Sequence, residues 1–285
     1  MIEQVRPGTS AAGARVGLFD FDGTISLIRS GWVDVMVPMM VEILAEFPKV
    51  HQTFNLVPSM LLQVEEYASG KADDPFLRLA LKPAETLTDS EKQFLLQYFF
   101  QANVERLIYR YPRYAELYER RTRPYTTQDY RDLQVLSQLA WFDEFFLQRD
   151  AAVKALAAKG REFSAEDQAL LGRKQTEVLG EVIPVYRRFA ESGQIEISTT
   201  PFYHPILPLV CDSNVAGISN PGVPLPTRYR YPEDAREQLM RARAYMERQT
   251  GKAPVGLWPS EGSVSDEALA LAAECGFQWF ATDNG

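Results

Sequence analysis

Apolar positions along this chain follow two periods. Short runs rich in branched and aromatic residues, bounded by glycine, proline or polar clusters, read as buried strands: VGLF before Asp20, the segment VHQTFN around His51, Ile195 to Ser198, GLW before Pro259, and FQWFAT before Asp283. Between them lie longer stretches with apolar residues three and four apart, the spacing of an amphipathic helix. Pro58 stands at a first helical turn, Leu61, Leu62 and Val64 fall inside that helix, and Gly70 supplies its exit. Thr88 with Glu91 predicts a capping box before a helix reaching about Ile108, with Phe94, Leu95, Tyr98 and Phe99 as its apolar stripe. Further helices are predicted over Tyr130 to Trp141, from Ser164 towards Ala190 with a bend at Pro184, and from Pro232 to about Gln249. Asp73 and Asp74 sit in a polar turn.

The pattern is densest from Gly256 to Asp283. GLWPSE and FQWFATD are apolar runs that each end in an acid, and Ser265 caps a helix between them whose Leu269, Ala272, Ala273 and Gly276 are spaced as one face. Strand, helix and strand in that order form a right-handed crossover, which brings the ends of both strands to one edge of a parallel sheet. Glu261 and Asp283 then share that edge. Paired carboxylates there suit glycoside hydrolysis, in which one attacks or bears charge and the other protonates the leaving oxygen. Spacing alone favours two acids that merely cap a helix and a strand.

Composition narrows the classes. With 46% hydrophobic and 12% aromatic residues, 285 positions supply a substantial core. The balance of 30 basic against 38 acidic side chains argues against a partner that presents a phosphate backbone, so nucleic acid is not expected. Cys211 and Cys275 are far apart in sequence, which disfavours a disulfide framework or thiolate metal site and fits a reducing cytoplasm. No signal-like apolar core opens the chain and no run of about 18 apolar residues follows, so neither secretion nor membrane insertion is expected.

Two resemblances add to this reading. RVGLFDFDGTIS, from Arg15 to Ser26, resembles the first motif of the haloacid dehalogenase superfamily of Mg²⁺-dependent phosphatases. Alternation along an extended segment points Asp20 and Asp22 to one side, and the resemblance implies a nucleophile and an acid/base there. The hydroxyl, lysine and acidic pair that such a site also needs are not found, and the resemblance stops near Leu44. From about Ala45 onward the chain is similar to the N-terminal catalytic domain of glycoside hydrolase family 57. The blocks that carry it are residues 51 to 70, 81 to 103, DLQVLSQLAWFD, GQIEISTTPFYHPILPLVCD and GLWPSEGSVS, in the family's order.

That second resemblance implies an α/β fold, an incomplete (β/α)7-type barrel with a large helical insertion, and retaining chemistry on α-glucans or maltooligosaccharides without a cofactor. It implies Glu261 as nucleophile and Asp283 as acid/base; Mg²⁺ would enter only under the phosphatase alternative. The place of the family's His-x-His-Gln-Pro-type first strand is taken by LFDFDGT, and the family continues beyond Asp283, Asn284 and Gly285. The expectation is therefore an atypical first strand, missing last strands, a segment 1–44 that is not a complete domain, and a partial barrel over 45–285. A catalytically inactive carbohydrate-binding fragment is a further alternative. His204, in an aromatic, proline-rich loop after a strand, can bond a sugar hydroxyl or an acid, or simply its own loop. His51 and Glu196 lie on strands where they can line a cleft, and Trp258 and Trp141 can stack on pyranose rings or be buried.

Overall fold

The computed structural model describes residues 17–18 and 44–282. Asp20, Asp22 and Asp283 lie outside the described residues. Helices in chain order are α1 Pro58–Ala68, α2 Pro75–Leu81, α3 Asp89–Tyr98, α4 Pro112–Glu119, α5 Thr127–Leu139, α6 Glu144–Arg149, α7 Ala151–Lys159, α8 Ala165–Glu191, α9 Leu207–Cys211, α10 Ala216–Ser219, α11 Pro232–Thr250 and α12 Asp266–Glu274. Strands are β1 Gly17–Leu18, β2 Gln52–Leu56, β3 Ile195–Thr199, β4 Gly256–Leu257 and β5 Trp279–Phe280. No helix among the described residues is long and apolar enough to cross a membrane. Two compact units divide the described chain: one holds 17–18, 44–62 and 183–282, the other 63–182.

The first unit is an α/β unit built on a parallel sheet whose order, β1-β2-β3-β4-β5, follows the chain. Side chains alternate between its faces, so register assigns them. Leu56, Thr199, Leu257 and Phe280 form one row, and Phe54 pairs with Ile197 on the same face. This face carries the core: Leu257 is buried with Leu207, Ala235, Leu239, Leu271 and Phe277, with Phe280 packed against them. Phe54 meets Tyr186 of α8 edge to face, ring centroids 5.7 Å apart. The other face is more polar, with Asn55, Ser198, Gly256 and Trp279 in one row and Thr53 beside Glu196. Ser198 Oγ donates to Asn55 Oδ1 at 3.1 Å.

Local chemistry explains the helices that frame this sheet. Pro232 opens α11 and Gly251 ends it in the left-handed region at φ 80°. Ser265 caps α12 by accepting from Ala268 N at 3.3 Å. The buried face of α12 is Ala268, Leu271, Ala272 and Cys275, not the Leu269, Ala272, Ala273 and Gly276 face expected. The reason is that the Leu271 stripe continues into Phe277, so it meets the sheet core while Ala273 faces water. Cys211 and Cys275 are buried free thiols in that core, and burial pushes both up from their ordinary range.

The second unit is helical. Thr88 and Glu91 form the expected capping box, but the predicted helix to Ile108 stops at Tyr98. Asn103 caps a separate wide turn, Val104–Ile108, by accepting from Arg106 N at 2.9 Å. Phe76, Phe94, Tyr98 and Phe99 cluster as the core side of α2 and α3. Arg113 on α4 is buried between Asp132, at 2.8 Å from its Nε, and Asp129, both on α5.

Candidate active site

Two loops leave neighbouring strands at the carboxyl edge of the sheet and converge. β3 ends at Thr199 and runs into Thr200, Pro201, Phe202, Tyr203 and His204; β4 ends at Leu257 and runs into Trp258, Pro259, Ser260 and Glu261. The strands stay coupled past their ends, because Trp258 N donates to Thr199 O at 2.8 Å. A tight turn then carries Glu261, with Gly262 N donating to Pro259 O at 3.0 Å and Ser263 N to Ser260 O at 3.0 Å. Within it Glu261 adopts φ 54° and ψ 29°, a left-handed conformation that side-chain-bearing residues seldom take. Strain of this kind persists where surrounding contacts over-determine it, and it points to function.

Among the described non-glycine residues, Glu162 and His204 also adopt the left-handed region, His204 at φ 58°. Its Nε2 lies 3.4 Å from Glu261 Oε1, while its Nδ1 is buried and has no hydrogen-bond partner among the described residues. The His204 loop is clamped by α11. Phe202 N donates to Gln238 O at 3.2 Å, Tyr203 N donates to Gln238 Oε1 at 2.8 Å, and the Arg241 guanidinium lies 4.3 Å from the Phe202 ring centroid. The Glu261 side chain is 74% exposed, so its carboxylate is open to a ligand while the turn beneath is packed. Ser260, next to it, is 1% exposed, and its Oγ also lacks a partner among the described residues.

The exit of β5 reaches the same turn. Ala281 N donates to Leu257 O at 3.0 Å, and Thr282 Oγ donates to Gly262 O at 2.9 Å. Asp283 lies outside the described residues; the residue before it is tied to the residue after Glu261. Trp258 is half-buried in the first turn beyond β4.

The remaining candidates fall elsewhere. His51 precedes β2 and therefore stands at the amino edge, opposite the His204 and Glu261 loops, where its Nδ1 is 3.2 Å from Gly193 O. Glu196 is the second residue of β3 and accepts from Trp279 Nε1 at 2.8 Å. His51 and Glu196 line one amino-edge cavity of about 380 Å³ together with Lys252 and Thr250. Trp141 belongs to the helical unit. Sequence reading overlooked Gln238, Arg241 and Thr282, because a lone polar residue on a helix or beyond a strand carries no periodic signal.

The carboxyl edge of a parallel sheet is where α/β proteins commonly bind their ligands, and a strained turn carrying an acid there is a candidate for such a site. Residues 31–285 match the model of glycosyl hydrolase family 57, and the chain belongs to that family. No curated protein matches the sequence. Among solved structures, the chain is similar to the alpha-amylase AmyC from Thermotoga maritima, with 13% identity and a TM-score of 0.41, over 93% of this chain and 39% of that one. It is also similar to a family 57 branching enzyme from the hyperthermophilic archaeon Thermococcus kodakaraensis, in complex with glucose, with 15% identity and a TM-score of 0.41, over 90% of this chain and 34% of that one. The chain thus spans well under half the length of either protein.

Proposed function

We propose that this chain carries the nucleophile of a retaining hydrolase or transferase acting on α-glucans or maltooligosaccharides. Glu261 is that nucleophile. A carboxylate oxygen of Glu261 forms a bond to the anomeric carbon, the bond from that carbon to the glycosidic oxygen breaks, and the departing oxygen takes a proton from Asp283. Water or a sugar hydroxyl then attacks the same carbon, gives its proton back to Asp283 and releases Glu261, so the anomeric configuration is retained. The reaction needs no cofactor. Trp258 offers a ring face to a pyranose, and His204 lies close enough to contact a sugar held against Glu261.

Family membership supports the reaction class, and the observation that carries the assignment is the strained, exposed Glu261 at the carboxyl edge with His204 beside it. The sequential, all-parallel strand order supports the barrel reading, since successive strands of a β/α barrel are neighbours and parallel in the same way. On this reading 45–285 is a partial catalytic barrel. The test is sugar release or transfer from soluble starch and maltooligosaccharides, with the anomer of the first product read by proton NMR. Retention in the wild type and loss in Glu261→Gln are expected; equal activity of the two proteins, or an inverted product, overturns the assignment.

A further inference from the structure

We propose that His204 is a positioning residue for Glu261: with a proton on Nε2, it donates to Glu261 Oε1 and holds the carboxylate in one orientation. This rests on the reading of Glu261 as nucleophile and adds a defined task for the imidazole.

The tautomer follows from which ring nitrogen meets a partner. His204 Nδ1 is buried and meets no partner among the described residues, whereas Nε2 faces a carboxylate oxygen at 3.4 Å. A proton on Nδ1 would bury an N–H with no acceptor among the described residues. The Nε2–H tautomer leaves only an unused lone pair there, and unmet acceptors are tolerated better than unmet donors. The contact at 3.4 Å is long for a formed hydrogen bond, as catalytic contacts often are before substrate closes the site.

The backbone shows why the pair meets. His204 and Glu261 come from loops after different strands, and both adopt the left-handed region, φ 58° and φ 54°. His204 N is tied to Pro201 O at 2.9 Å and its neighbour Tyr203 N to Gln238 Oε1 at 2.8 Å, so helix α11 sets where the imidazole points. A donor on Oε1 divides the carboxylate into unlike oxygens. Oε1 becomes the carbonyl oxygen of the glycosyl ester, and the unbonded oxygen attacks.

Two variants separate this role from a backbone role. Glutamine places its amide N–H near the position of Nε2, whereas asparagine places it near Nδ1 yet tolerates positive φ better. His204→Asn is expected to lower kcat by about 100-fold with KM little changed, and His204→Gln to recover about tenfold of that loss. A His204→Asn variant as active as His204→Gln or more so overturns the proposal. A second readout needs no turnover. With only two histidines, ¹⁵N-histidine NMR of the full chain, assigned with His51→Gln, reports the tautomer of His204 directly. An Nε2–H tautomer whose Nε2–H resonance vanishes in Glu261→Ala is expected. An Nδ1–H tautomer, or a resonance indifferent to Glu261→Ala, overturns the proposal. If Glu261→Gln is instead as active as wild type, the nucleophile assignment is what fails, and the tautomer measurement still decides whether the two side chains are coupled.

Discussion

The indole of Trp279 donates to Glu196 Oε1 at 2.8 Å across a strand that lies between them. The span is possible because the residue in between is Gly256: a Cβ added there would lie 2.0 Å from Trp279 Cζ2. Gly256 sits in register with both Ser198 and Trp279, so the absent side chain leaves a trough that the indole fills. Gly256→Ala must therefore displace the indole. A stability loss of about 1–3 kcal/mol, as for other overpacked sites, together with changed tryptophan fluorescence, is expected in chemical denaturation.

Glu261 makes the opposite prediction. Its left-handed φ of 54° is costly for glutamate and mild for asparagine. Glu261→Asn is expected to raise unfolding stability by about 0.5–1 kcal/mol while abolishing glucan turnover. A destabilised Glu261→Asn protein would show that the turn is not strained.

Arg113 anchors the helical unit. Burial works against its charge, but hydrogen bonds to Asp132 and Asp129 outweigh that and raise its pKa above the ordinary arginine range. Removing the guanidinium leaves Asp132, at 0% exposure, without its counter-ion. Arg113→Met is expected to cost about 3–5 kcal/mol in urea unfolding. Arg113→Lys should recover little, because one ammonium cannot reproduce a fork that meets two carboxylates.

Acid should weaken the fold in a defined window. Hydrogen bonds from Lys82 and from Thr88 N hold Glu91 at about 2, against an ordinary 4.5. The Arg228 side chain and Asn214 N hold Asp212 at about 2, against 3.8. Burial pushes Asp129 up, yet bonds from Thr126, Arg113 and Arg120 leave it lowered. Each folded-state value lies below the unfolded one, so the unfolded chain binds more protons. Their stabilisation is complete above pH 4.5 and is lost as pH falls towards 2. Urea midpoints measured across that range should decline, and the slope should flatten in Glu91→Gln and Asp212→Asn.

Much of the fold was legible because its signals are local. The Thr88–Glu91 box, the Ser265 cap, the Pro232 start and the crossover from Gly256 to Phe280 depend on residues within a few positions of one another, and each is present. The helix predicted to Ile108 broke after Tyr98 because Asn103 competes for the backbone, a side-chain bond that hydrophobic spacing does not register. At the site, Glu261 and His204 stood out as polar residues just beyond apolar strands. The pairing of their side chains did not, since it depends on two positive φ angles and on Gln238, which belongs to a distant helix.

The sequence by itself determined the family, the order of the strands and of the longer helices, and the acid that ends the GLWPSE run, because these rest on residue types and short spacings. Only the tertiary structure decided which candidates meet. In a parallel sheet a residue's place before or after its strand assigns it to one edge, and this put His51 at the amino edge and His204 beside Glu261 at the carboxyl edge. It also showed Glu196 held by Trp279 across a glycine two residues before Trp258. Periodicity shows which face a side chain takes; contact between faces and loops is set by register and packing, which no single stretch of sequence contains.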